Sequence, residues 1–235
     1  MGSTNWTVMS DSLSVAAIDR GVTHGIARPP GGGDFVYGFN SIALSGGAVA
    51  LFANQSNFAP MAKGGRISGA IKRGVSGGPE GFAPFFFIGG QGPSVNDRAY
   101  VLALADDDPY HIVLRKSVIA TQHVDAAPDP PNNGVLLRST QAYAPDTWHQ
   151  LRLDMIVNDN GDVILQVFEN DLALHPLGTA PTWVAVPGMV EFIDDALGIN
   201  SGSAALTSGR AGFGMWNNDV TRRSYFDWIE LARAL

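Results

Sequence analysis

Along residues 148–170 hydrophobic and polar positions alternate with a period of two, break at a polar cluster, and alternate again. Leu151, Leu153 and Met155 are interleaved with Arg152 and Asp154, and Val163, Leu165 and Val167 with Gln166 and the polar Glu169 beyond. Between them lies Asn158-Asp159-Asn160-Gly161-Asp162, whose Asn-Gly pair suits a tight reversal. The pattern predicts a β-hairpin, each strand with one face toward a core and one toward water.

The same rhythm recurs elsewhere. Phe35–Phe39, Ile42–Phe52 and Gly65–Lys72 read as strands, and Phe85–Ile88 as a strand buried on both faces. Ala99–Leu104 and His111–Leu114 form a second hairpin around an acidic turn at Asp106–Asp108. Val118–Thr121 and Val135–Arg138 are short strands flanking a Pro-rich loop, Ala126–Asn133. Gly212–Trp216 and Ser224–Leu231 close the chain. One helix is expected over 189–197, where Met189, Phe192, Ile193, Ala196 and Leu197 form a stripe at helical spacing before Gly198. The fold class is all-β: a two-sheet antiparallel β-sandwich of jelly-roll type, expected as one domain over 1–235.

Composition narrows the function classes. A chain that is 45% hydrophobic and 16% charged can fill a sizeable core, and 28 glycines with 14 prolines favour many turns. The net charge of −7, with basic residues only in isolated pairs, argues against nucleic acid as a partner. With no cysteine, thiolate metal sites and disulfides are excluded. No apolar run is long enough to span a membrane as a helix, and the first residues lack a basic-then-apolar secretory pattern.

From about Val101 onward the chain resembles the concanavalin A-like lectin/glucanase superfamily in its laminin G-like branches. The residues that carry the resemblance are Pro145-Asp-Thr-Trp148-His149-Gln-Leu151-Arg152-Leu153 leading into Asn160-Gly161, then Gly209-Arg-Ala-Gly212-Phe213-Gly214 and Phe226-Asp227-Trp228-Ile229. What it implies is a curved jelly roll that carries any ligand on its concave face or edge loops.

Catalysis is not expected. The glucanases of that superfamily use Glu-x-Asp-x-Glu on one strand, and none of the four glutamates here (Glu80, Glu169, Glu191, Glu230) has that spacing. Asp227 and Glu230 are three apart, which on a regular strand puts them on opposite faces. Gly74-Val-Ser76-Gly-Gly78 fits a nucleophile elbow only in letters, because Pro79 follows where a helix is required. The oxygen-rich turn makes Asp159, Asn160 and Asp162 the candidate calcium ligands, against the plainer reading of a hairpin loop. Trp216, followed by Asn217 and Asp219, is the candidate ligand-binding cluster, a ring for stacking beside polar groups for hydroxyls. Trp148, Trp183 and Trp228 are expected in the core.

Two non-catalytic functions follow. Ranked first is a structural, assembly or adhesion module of a phage-type virion (tail, baseplate or capsid decoration), with other virion proteins or further copies of itself as partners and the virion as its location. The alternative is a carbohydrate-binding, lectin-like module with a glycan partner and calcium as a candidate cofactor.

Overall fold

The computed structural model describes residues 6–10, 16–19, 29–32, 37–41, 47–53, 63–74, 82–92, 94–105, 109–123, 125–217 and 223–233. Strands dominate it. They are β1 (Trp6–Ser10), β2 (Ala16–Asp19), β3 (Tyr37–Ser41), β4 (Gly47–Ala53), β5 (Gly64–Arg73), β6 (Phe82–Gly90), β7 (Arg98–Leu104) and β8 (His111–Val118). After one helical turn, α1 (Pro130–Asn133), come β9 (Val135–Ala142), β10 (Trp148–Val157), β11 (Val163–Asn170), β12 (Val184–Ala185), β13 (Phe192–Asp194), β14 (Arg210–Asn217) and β15 (Arg223–Arg233).

They form two antiparallel sheets. Sheet A has the order β1-β4-β14-β6-β7-β8-β9, and sheet B the order β12-β11-β10-β5-β15-β3-β2, with β13 also paired to β11. The sequence hairpin is β10–β11, in register from Gln150↔Asn170 to Val157↔Val163. Its alternation sends Leu151, Leu153, Met155, Val163, Leu165 and Val167 inward, all 0% exposed. Each such side chain contributes about 1.5–3 kcal/mol by leaving water. The reversal is held by the Asn158 side chain, whose Oδ1 accepts from the backbone N–H of Asn160 (3.0 Å) and Asp162 (2.9 Å), with Gly161 at φ 82°.

Between the sheets the inward faces meet. Phe213 of β14 lies 5.1 Å, centroid to centroid, from Phe226 of β15, and Phe86 of β6 lies 6.2 Å from the same ring. Sheet A is buried on its outer face too, where Phe85, Phe87, Val101, Ala103 and Trp216 form a second apolar cluster. This is the two-sided burial expected of the Phe85–Ile88 run.

The helix expected over 189–197 does not form. That segment contains β13, paired to β11 as Val163↔Asp194, Ile164↔Ile193 and Leu165↔Phe192, and turns. The apolar stripe has no single surface to cover: Met189 is fully buried, while Ile193 and Leu197 are 45% and 80% exposed. Asp195 also diverts the backbone, since its carboxylate accepts N–H bonds from Leu197, Ile199 and Asn200 that a helix would use otherwise. Among the described residues the only helical turn lies in the Pro-rich loop, closed by Gly134 at φ 73° donating to the Pro130 carbonyl. The Val118–Thr121 strand is the end of β8 followed by a turn.

Candidate functional site on the outer face of sheet B

The residues of sheet B that point away from the core form a grid. Register pairs place Glu230, Ser68, Arg152 and Phe168 in one row across β15, β5, β10 and β11. The next row is Ala232, Arg66, Asp154 and Gln166, and the row on the other side is Asp227, Ala70, Gln150 and Asn170. The segment after β11 lies across this face. Its Leu172 and Leu177 bury a small apolar cluster with Ala70, Trp148 and Tyr225. Trp148 is therefore buried, at 9% exposure, but on the outer face of sheet B instead of between the sheets.

Beside that segment is a groove of about 260 Å³ whose lining includes Arg66, Ser68, Arg152, Trp183, Trp228 and Glu230. Its geometry depends on a β-bulge. In β15 the register against β5 jumps from Asp227↔Ala70 to Glu230↔Ser68, so Trp228 and Ile229 together oppose Gly69. Trp228 takes φ 52°, a left-handed conformation that bulky residues rarely adopt. The extra residue brings Trp228 out to 41% exposure while Phe226 and Ile229 both stay in the core. Trp228 Nε1 donates to Glu230 Oε1 at 2.9 Å, which orients the indole along the groove.

Two expectations are corrected here. Trp228 and the half-buried Trp183 are groove residues and not core residues. Asp227 and Glu230 also face the same side of the sheet, because Ala70 and Ser68, their partners on β5, are two apart. They differ in surroundings. Glu230 is exposed, whereas Asp227 is 8% exposed, with Oδ1 accepting from the Trp228 N–H and Oδ2 unpaired next to Gly32. Burial holds the Asp227 carboxyl above the usual carboxylate range.

Arg152 is the fixed point of the groove. Its guanidinium lies 4.2 Å from the Phe168 ring centre and 5.1 Å from that of Trp183. Its Nε stands 3.0 Å from Asp154 Oδ1, an ion pair whose angle is not that of a hydrogen bond. Burial lowers the Arg152 pKa, against the pull of Asp154, and the like charge of Arg66 lowers it further. Burial likewise raises that of Asp154, with Arg152 and Arg66 acting against the rise. A larger depression of about 760 Å³ on the far side of Gln150 is lined by Lys72, Asp146, Trp148, His149, Glu169 and Leu174 among others. There Lys72 pairs with Asp146 at 2.7 Å and Tyr143 donates to Glu169 at 2.8 Å, and Trp148 has almost no free face.

The residues singled out from the sequence are elsewhere. Trp216 is 7% exposed within the outer cluster of sheet A, on the other sheet from the groove. Asn217 ends β14, and Asp219 lies outside the described residues, as do Asp106–Asp108 and most of the Gly74–Gly78 motif. Asp159 and Asn160 are exposed, and Asp162 serves the fold: Oδ1 accepts from the Ala196 N–H (3.0 Å) and Oδ2 from Asn158 Nδ2 (3.0 Å). Both carboxylate oxygens of Asp162 are thus engaged by protein donors, one within the turn and one from Ala196. Among the described residues no group of three or more His, Asp or Glu side chains is placed to hold a metal ion.

Nothing in the sequence singles out Trp183, Trp228, Arg66 and Arg152 as the lining of one groove. One signal was legible. Tyr225-Phe226-Asp227-Trp228-Ile229 has large apolar residues at both strand parities, so a strand that buries one face alone cannot take them all in.

No protein-family model matches the chain, and no curated protein matches it. Solved structures do. The carbohydrate binding module CBM66 from Bacillus subtilis superposes with a TM-score of 0.51 at 10% identity, covering 97% of this chain and 96% of that one. The exoplasmic/lumenal domain of VIP36, in its Ca2+/Man3GlcNAc-bound form, gives 0.50 at 10% identity, covering 100% and 85%. A protein of unknown function from Shewanella oneidensis MR-1 gives 0.51 at 10% identity, covering 98% and 79%. At such identities the likeness concerns the fold alone, a sandwich of two antiparallel sheets.

Proposed function

We propose that this chain is a carbohydrate-binding domain whose ligand occupies the groove on the outer face of sheet B. The observation that carries the reading is the pair of tryptophans, Trp183 and Trp228, lining one groove with Arg152, Ser68 and Glu230. Sugar rings offer apolar C–H faces that stack on indoles and hydroxyl edges that need directed polar partners. Here both are present, side by side on one face of sheet B. Trp228 is also kept in a strained backbone conformation that turns its indole out of the core and into the groove, and such strain is found at binding sites. The solved structures that superpose on the chain support this reading over the virion-assembly role ranked first from the sequence. The role is binding, with no step of bond cleavage assigned to Asp227 or Glu230.

The test is a glycan array followed by titration calorimetry on the hits. Trp228→Ala and Trp183→Ala should each weaken binding by about tenfold or more, as expected for a central aromatic contact worth at least about 1.4 kcal/mol. Trp216→Phe, far from the groove, should leave it unchanged. An array without hits, or hits indifferent to both groove tryptophans, would refute the assignment.

A further inference from the structure

The groove has a charge pattern that a neutral sugar does not use. Arg66 of β5 and Arg152 of β10 are diagonal neighbours on this face, since Arg66 is opposite Asp154 and Arg152 is opposite Ser68. They share a single neighbouring carboxylate, Asp154, which is the register partner of Arg66 and the ion-pair partner of Arg152. Arg152 is immobilised between Phe168 and Trp183, with its side chain only 14% exposed. Arg66 is exposed, and among the described residues no hydrogen bond or ion pair engages it. At the other end Glu230 is bonded to Trp228. Two guanidinium groups beside one carboxylate make this end of the groove the positive one, with Glu230 as the negative counterpart at the other end. Holding two like charges together costs free energy unless something offsets it, and a ligand carboxylate meeting a planar donor fork does so.

From this we infer that the groove selects acidic saccharides, the carboxylate of a uronic acid residue meeting Arg66 while its ring lies against Trp183 and Trp228. Glu230 then faces the hydroxyl edge, where a carboxylate accepts hydrogen bonds. Arg66 is the specificity-determining residue and the tryptophans supply affinity common to acidic and neutral rings. This inference rests on the carbohydrate-binding reading and narrows it to one ligand class.

The experiment titrates the whole chain with galacturonate, glucuronate and mannuronate tetrasaccharides, each beside its carboxyl-reduced counterpart. At low salt at least one acidic chain should bind about tenfold more tightly than its neutral partner, and the difference should shrink as salt is raised. Arg66→Gln should weaken the acidic chain by about tenfold more than the neutral one, with Arg66→Lys in between. The inference fails if neutral chains bind as well as acidic ones, or if Arg66→Gln leaves the preference intact. Both outcomes preserve carbohydrate binding. Silence from all chains, together with an empty neutral array, removes the parent reading as well.

Discussion

His123 shows at the residue scale how position within the fold overrides a side chain's ordinary chemistry. It is fully buried beneath the outer face of sheet A, edge-on to Phe85 at 5.2 Å between centroids. Neither ring nitrogen makes a hydrogen bond of normal geometry, although the Ile119 backbone is near. Burial, with the charge of Arg115, pushes its pKa down to about 3. In the unfolded chain the ring binds a proton near its ordinary value of 6.5, so between pH 6.5 and 3 the unfolded state holds the extra proton. Stability from this group is therefore complete above pH 6.5 and declines as pH falls, by up to about 1.4 kcal/mol per pH unit. Asp154 and Asp227, raised by burial, act in the opposite sense, so the difference between two proteins isolates the histidine. Urea unfolding of wild type and His123→Phe should diverge steadily below pH 6.5, the variant losing less. Parallel curves would show that the imidazole is hydrated in solution.

Asp125 is the complementary case. Its side chain, 4% exposed, would be raised by burial alone, but hydrogen bonds from Arg138 and His111 outweigh this and hold it below the usual carboxylate range. Its contribution is present above about pH 3.8 and is lost as pH falls through the lower folded value.

At the scale of elements, β15 decides where the site is. A regular strand would keep Tyr225, Asp227 and Ile229 on one side, and the bulge opposite Gly69 instead lets Ile229 join Phe226 inside. Gly69 leaves the space for it, since a methyl there would stand 2.4 Å from Ile229 Cδ1. The left-handed conformation of Trp228 is the cost of this arrangement. Removing the indole in two ways separates conformation from contact: Trp228→Gly should be about 1–2 kcal/mol more stable than Trp228→Ala, because only glycine takes positive φ freely. Equal urea midpoints would mean the bulge relaxes when the indole is gone. The β10–β11 hairpin, by contrast, follows directly from its alternation and its Asn-Gly turn, because every force on it is local or two-faced.

Across the whole molecule the two sheets are joined by a polar clamp as well as by the core. Lys116 of β8 and Asp194 of β13, each with a fully buried side chain, pair at 2.6 Å. Tyr100 of β7 and Ser201 donate to the same carboxylate, each at 2.5 Å, and the Leu206 N–H donates to the Tyr100 hydroxyl at 2.9 Å. Burial lowers the Lys116 pKa against the pull of Asp194, and burial with the Asp194 bond raises that of Tyr100. Breaking one side strands the other charge. Asp194→Asn should cost about 3–5 kcal/mol in chemical denaturation, and a Lys116→Met, Asp194→Leu double variant should recover much of it. A loss below about 1 kcal/mol for Asp194→Asn would mean that Lys116 is neutral in the folded protein.

The chain's local pattern determined the class of fold, the β10–β11 and β7–β8 strand pairs and most inward positions, since period-two alternation states directly which residues leave water. It misled over 189–197, where helical spacing among apolar residues met a side chain, Asp195, that binds the backbone itself. It also placed the candidate ring at Trp216, because a tryptophan beside asparagines looks the same at the surface or beneath it. Only the tertiary structure could bring Arg66, Arg152, Trp183 and Trp228 into one groove. They come from β5, β10, a loop and β15, and their proximity rests on strand order, a one-residue bulge and the segment laid across sheet B. Those are long-range pairings, set by how two sheets bury a shared core and invisible to the spacing of residues along any one strand.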